Sequence, residues 1–262
     1  EQVMSRADTL KARIQAGKPV FGTFVKNNCP NLVEMLGWAG FDFAILDCEH
    51  SSYSYGELEN MIRACQLADI ASIPRIACPE PWQVHHGLES GSTGIQIPSI
   101  TSVENAAACA EEAVFFPGGT RSPNPALRAG QYGCWTGEKS YLETKKESSL
   151  CVVQVESMAM ANAVEELCKI PQIDVLFIGP GDLSMSMGKP GKLNDPEVVA
   201  IIEDVIRRGL AGGKAMGMLC GNPDAVKKYI NLGCTYIAYS SDSGMIANAF
   251  KAINRDVFTP YR

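Results

Sequence analysis

The chain reads as an α/β protein with the rhythm of a (β/α)8 TIM barrel, and three observations carry that expectation. Eight short apolar runs, strand-like in length and rich in β-branched or aromatic residues, recur along the 262 residues. Helix-like patterns occupy the intervals between them. No internal repeat and no linker divides the chain, so a single domain over residues 1–262 is expected. An open doubly wound sheet has the same local pattern, and at this level the two remain open.

The strand-like runs are Val20–Val25, Phe43–Leu46, Ile70–Ile73, Gly94–Ile97, Val152–Val155, Val175–Ile178, Met216–Leu219 and Tyr236–Tyr239. Helical periodicity marks Glu57–Leu67, Trp82–Glu89, Val103–Glu112, Asn162–Cys168, Pro196–Leu210 and Ala225–Leu232. Ala39-Gly40 before Phe43 and Leu232-Gly233 before Tyr236 fit helix ends that turn into the next strand, where glycine tolerates the left-handed conformation. Residues 115–150 break the rhythm: the stretch is rich in Pro, Gly and Ser, with aromatics and arginines on a loop-like background. A loop this long commonly serves function, so covering a substrate is one expectation for it and a plain surface excursion the other.

With 46% hydrophobic residues and a net charge of −6, the chain can bury a large core and lacks the basic excess of a nucleic-acid binder. No apolar run is long enough to cross a membrane, and the first twenty residues contain no signal-peptide core, so a cytoplasmic protein is expected. Ten cysteines are scattered without C-x-x-C spacing, several inside apolar runs, which reads as buried free thiols. His85 and His86 fall within a helical run and read as structural or exposed.

The most informative stretch is Cys151 to Ser184. Glu156 follows one strand-like run directly and Asp182 follows the next by a few residues. In a parallel sheet of βα units all C-terminal strand ends share one rim, so both carboxylates emerge close together. Hard divalent cations suit such a pair, because a catalytic Mg²⁺ commonly takes one or two carboxylates and leaves its other positions to water and a chelating substrate. Gly179-Pro180-Gly181-Asp182-Leu183-Ser184 also supplies backbone N–H groups at a helix entry, where a carboxylate can be received. The two acids alone fit helix capping equally well.

Other strand ends add to the count. Asp47-Cys48-Glu49-His50 places a carboxylate three residues before a histidine, an arrangement able to hold the imidazole as a base. Pro74-Arg75 offers a guanidinium suited to a carboxylate or a developing enolate oxygen. Taken singly these motifs are turns and salt bridges. Their coincidence just past predicted strand ends, on the rim where barrel enzymes place chemistry, is what points to a site.

The ordered set Gly22-Thr23-Phe24, Asp47-Cys48-Glu49-His50, Pro74-Arg75, Gly94-Ile95-Gln96-Ile97-Pro98, Phe116-Pro117, Val153-Gln154-Val155-Glu156 and Gly179 to Ser184 resembles the class II, metal-dependent 2-oxo-acid aldolases of the HpcH/HpaI family. The resemblance runs from about Lys18 to Asp242. It implies a barrel of the phosphoenolpyruvate/pyruvate-binding type, a homo-oligomer (trimer or hexamer), and Mg²⁺, Mn²⁺ or Co²⁺ as cofactor. Carried over by motif, Glu156 and Asp182 hold the metal, His50 with Asp47 acts as base, and Arg75 stabilises the enolate. Gln154, Arg121 and the backbone at Gly181 and Asp182 hold the small-molecule 2-oxo acid.

The resemblance also leaves alternatives. Many relatives share Pro-Pro-x-Gly-x-Arg, whereas here Phe116-Pro117-Gly118-Gly119-Thr120-Arg121 leads into Pro123-Asn124-Pro125. The family includes oxaloacetate decarboxylases and the macrophomate synthase type, which share the enolate chemistry. A Schiff-base mechanism would fall to Lys26, near the first strand end. From a different class, a non-catalytic barrel that binds a metabolite is the remaining reading.

Overall fold

Side chains alternate across a strand, so the apolar residues at one parity of each run line the barrel axis and those at the other meet the helices. The computed structural model, which describes residues 5–137 and 139–262, bears this out. Its strands are β1 (Val20–Val25), β2 (Phe43–Asp47), β3 (Ala71–Arg75), β4 (Gly94–Ile97), β5 (Leu150–Val155), β6 (Val175–Ile178), β7 (Ala215–Cys220) and β8 (Tyr236–Ser241). Each pairs in parallel with the next and β8 returns to β1, which closes the barrel and excludes the open sheet.

Phe43 and Ile45, Ala71 and Ile73, Leu150 and Val152, and Val175 and Phe177 form the inner layer, while Ala44, Leu46, Val153, Val155, Leu176 and Ile178 pack outward. Extending the inward parity by one step selects Asp47, Arg75 and Gln154, and by a second step Glu156. The same alternation that fills the core therefore aims the polar strand ends at the axis.

The helices are α1 (Arg6–Gln15), α2 (Pro30–Trp38), α3 (Tyr55–Leu67), α4 (Pro81–Glu89), α5 (Val103–Glu112), α6 (Tyr141–Ser148), α7 (Met158–Asn162), α8 (Val164–Cys168), α9 (Pro180–Ser186), α10 (Pro196–Ala211), α11 (Pro223–Asn231) and α12 (Asp242–Ile253). Local chemistry sets their limits: Ser54 and Glu57 form a capping box at α3, and Gly40 and Gly233, at φ 95° and 101°, turn the chain after α2 and α11. The helix expected over Asn162–Cys168 is broken at Ala163 into α7 and α8. α1 was not expected; its Leu10 and Ile14 plug the N-terminal end of the barrel, and Lys11 reaches Asp174 at 3.0 Å.

The described residues of 115–150 do not line the pocket of their own barrel. They follow α5, which returns the chain to the N-terminal rim, and they end where β5 begins on that rim. There Arg128 donates to the Ser90 carbonyl at 2.9 Å and Lys11 to the Ser149 carbonyl at 2.9 Å. Part of the stretch is ordered as α6, capped by Ser140 and Glu143; Glu138 lies outside the described residues.

All ten cysteines are free. His85 sits between Glu112 and Glu89, at 2.7 and 3.0 Å, and the His86 ring meets Tyr55, a structural role for both. Among the described residues no helix is long and apolar enough to cross a membrane.

Candidate active site

A cavity of about 370 Å³ opens at the C-terminal rim of the barrel. His50, Arg75, Gln154, Glu156, Gly181 and Asp182 all line it, together with Lys26, Phe24 and Phe177 and the ends of β7 and β8. Six of the predicted site residues, drawn from four strand ends, thus meet in one place.

Glu156 is nearly buried, and its carboxylate is held on both oxygens. Gln154 Nε2 donates to Oε2 at 2.5 Å and the Ser99 N–H donates to Oε1. Gln154 in turn accepts from Gln96 Nε2 at 2.7 Å, and Tyr236 Oη donates to Gln96 Oε1 at 3.4 Å. This amide chain runs from the barrel axis to Glu156. Gln154 thus holds Glu156 and itself lines the cavity. Gly179 belongs to the same cradle: a Cβ there would stand 2.9 Å from Glu156 Oε2.

Burial pushes the Glu156 carboxyl above the usual carboxylate range, and the charges of Glu49 and Asp182 add to the shift while the two donors oppose it. Two hard-oxygen carboxylates facing one cavity, one of them poorly stabilised as an anion, match the donor set of Mg²⁺ or Mn²⁺. Among the described residues no group of three or more His, Cys, Asp and Glu converges as a complete ligand cage. A carboxylate pair open to water and substrate is the arrangement expected of a catalytic cation.

Asp47 departs from its expected role. Its carboxylate is fully buried and accepts from Arg75 Nε at 3.0 Å and Arg75 Nη2 at 2.7 Å, a bidentate pair. It also accepts from the backbone N–H of Glu49 and His50, at 3.2 and 3.1 Å. Asp47 therefore holds the His50 backbone and the Arg75 guanidinium, and not the imidazole. The physical reason is register: Asp47 pairs with Arg75 across β2 and β3, and both point inward. The His50 side chain, 54% exposed, stands at the pocket mouth with Glu49 Oε2 3.8 Å from Nε2.

Glu49 was missed. Its Oε2 lies 2.8 Å from Arg75 Nη1, and its Oε1 accepts from Ser99 Oγ at 3.1 Å. Arg75 is thus gripped by two acids and stacked over the Phe24 ring at 4.7 Å, and among the described residues each terminal nitrogen keeps at least one N–H uncommitted. Asp242, just past β8, was missed too. It accepts from the backbone N–H of Lys26 at 3.0 Å and of Asn27 at 2.9 Å, tying the exits of β1 and β8 together. The strand-end rule that found Glu156 would have found Asp242.

Arg121 is not in the pocket. It is buried in the residues 115–150 region, with its guanidinium 4.4 Å over the Phe115 ring and Nε without a partner among the described residues. It follows a helix and precedes a strand, which places it toward the opposite rim.

The model of the HpcH/HpaI aldolase/citrate lyase family matches residues 20–249. The chain belongs to that family. It is 33% identical over 225 residues to a 2-dehydro-3,6-dideoxy-6-sulfogluconate aldolase of Pseudomonas putida, covering 86% of this chain and 87% of the relative. A hydroxypyruvate/pyruvate aldolase of Agrobacterium fabrum is 29% identical, covering 93% and 91%. Among solved structures, an HpcH/HpaI aldolase/citrate lyase family protein from Burkholderia cenocepacia superposes with a TM-score of 0.88 at 28% identity, covering 95% and 99%. The barrel and the resemblance drawn from sequence motifs therefore stand on independent matches, and the chain is an enzyme of an aldolase/lyase family.

Proposed function

We propose that this HpcH/HpaI family enzyme cleaves a 4-hydroxy-2-oxo acid to pyruvate and an aldehyde, using a divalent cation held by Glu156 and Asp182. The observation that carries this reading is the convergence of that carboxylate pair, the doubly anchored Arg75 and the half-exposed His50 on one cavity. A cation at the two carboxylates supplies Lewis-acid polarisation of the keto group. The chain's own residues do the rest. The backbone at Gly181 and Asp182 receives the substrate carboxylate, and the free N–H groups of Arg75 face the oxygen on which enolate charge develops. His50, directly or through water, takes the proton from the C4 hydroxyl. The C3–C4 bond then breaks, its electron pair passes to the pyruvate fragment as an enolate, C4 leaves as the aldehyde, and C3 takes up a proton returned from His50 directly or through water.

Asp47 and Glu49 act through Arg75: with both anchors in place the guanidinium cannot follow the substrate and its charge is preorganised. The test is pyruvate release from a 4-hydroxy-2-oxo acid and from oxaloacetate, each with Mg²⁺ and with EDTA. EDTA-sensitive release from the hydroxy acid is expected. Release from oxaloacetate alone would replace this reading with a decarboxylase or a synthase that makes its enolate by decarboxylation.

A further inference from the structure

Lys26 is a pocket cation that the chemistry above leaves unused. It lies just past β1, and in an eight-stranded closed order β1 stands across the barrel from β5, which carries Glu156. Its nearest acid oxygen is Asp47 Oδ2 at 3.8 Å, beyond hydrogen-bond reach. Asp47 Oδ1 takes Arg75 Nε and two backbone N–H groups and Oδ2 takes Arg75 Nη2, so Lys26 and Asp47 form a long ion pair that leaves the ammonium hydrogens unspent. Among the described residues the ammonium donates no hydrogen bond, and Lys26 lines the cavity. The backbone beneath it is fixed: Asp242 holds the N–H groups of Lys26 and Asn27, and Tyr53 Oη donates to the Val25 and Asn27 carbonyls, both at 3.0 Å. A long, flexible side chain is thus mounted on a rigid base with its charge aimed at the far wall from the metal ligands.

We propose that Lys26 is a specificity residue that binds a second anionic group, a carboxylate-type anion at the distal end of the aldehyde half of the substrate. The inference rests on the aldolase reading. A 2-oxo acid anchored at Glu156 and Asp182 directs its C4 and later carbons across the cavity toward β1. There the local charges are Asp47, Glu49, Asp242, Arg75 and Lys26, three acids against two cations. Removing Lys26 leaves that wall with one cation against three acids, so the loss of a charge-assisted hydrogen bond is compounded by repulsion of the anion.

The experiment compares 4-hydroxy-2-oxoheptanedioate with 4-hydroxy-2-oxoheptanoate, which lacks only the terminal carboxylate, in the wild type, Lys26→Gln and Lys26→Arg with Mg²⁺. The wild type should prefer the dianion. Lys26→Gln should lower the ratio of the two kcat/KM values about tenfold to a hundredfold, and Lys26→Arg should retain most of the preference. An equal fall for both substrates, or a wild type without preference, would overturn the role of Lys26 while leaving the aldolase reading intact. Trapping of pyruvate on Lys26 by borohydride would overturn it in favour of an imine mechanism. Absence of metal-dependent pyruvate release from either substrate in the wild type would remove the aldolase reading, and this inference with it.

Discussion

At the scale of single residues, the site separates groups that line the cavity from groups that hold them. Glu156 is the most constrained: it is buried, doubly hydrogen-bonded and pressed against Gly179. Glu156→Gln should keep the fold and cost at least about a hundredfold in kcat/KM, since a catalytic cation contributes several kcal/mol. Metal titration should show the loss as weakened binding; full activity at limiting Mg²⁺ would remove Glu156 from the site. His50→Ala should leave metal binding in place and slow cleavage about a hundredfold or more. Steady-state rates with an unchanged metal titration would establish that split, and unchanged turnover would end its role as base. These two residues were legible in the sequence because Glu156 follows its strand run directly and His50 follows its own within a few residues. The partner of Asp47 was not legible, because a carboxylate three residues from a histidine and one pair of strands from an arginine can serve either. Only the β2–β3 register decides for Arg75.

At the scale of elements, glycines at close approaches and ion pairs between helices fix the barrel. A Cβ on Gly22 in β1 would collide with the ring and carbonyl of Phe43 in β2, both in the core. Gly22→Ala should destabilise by about 1–3 kcal/mol, read as a lower denaturant midpoint at constant slope. α8 and α10 are clamped by Arg208, whose Nε donates to Glu165 Oε1 at 2.6 Å. That bond draws Glu165 down from the usual carboxylate range to about 2. A carboxylate with a depressed folded value adds stability above its unfolded value, near 4.5, that is lost as pH falls toward 2. Glu165→Gln should therefore flatten the fall in urea midpoint between neutral pH and about pH 3. An unchanged fall would show that the clamp contributes nothing on the surface. The eight strands were readable because buried parallel strands are near-continuous apolar runs. α6 has only weak helical periodicity, and α1, α6 and α12 are marked instead by the serine caps Ser5, Ser140 and Ser241.

At the scale of the whole molecule, position in the βα alternation decides what a segment can do. Residues 115–150 have the composition of a lid but lie between a helix and a strand, which assigns them to the rim opposite the chemistry. That topological fact was available in the sequence and outweighs composition. The C-terminal region presents another whole-molecule feature: Phe250, Phe258 and Tyr261 are 67%, 48% and 90% exposed along and beyond α12. We propose that these exposed aromatics belong to an association surface between copies of the chain. Light scattering should return a trimer or hexamer of the 28.2 kDa chain, and Phe250→Glu should shift it toward smaller species. A monomeric wild type would contradict this. The central claim, enolate formation that depends on the cation at Glu156 and Asp182, is tested most directly without any second substrate. The measurement is exchange of the pyruvate methyl protons in D₂O, followed by NMR. Exchange with Mg²⁺ that stops on adding EDTA and is lost in Glu156→Gln is the expected result; no exchange with metal, or exchange that EDTA leaves untouched, would contradict the account.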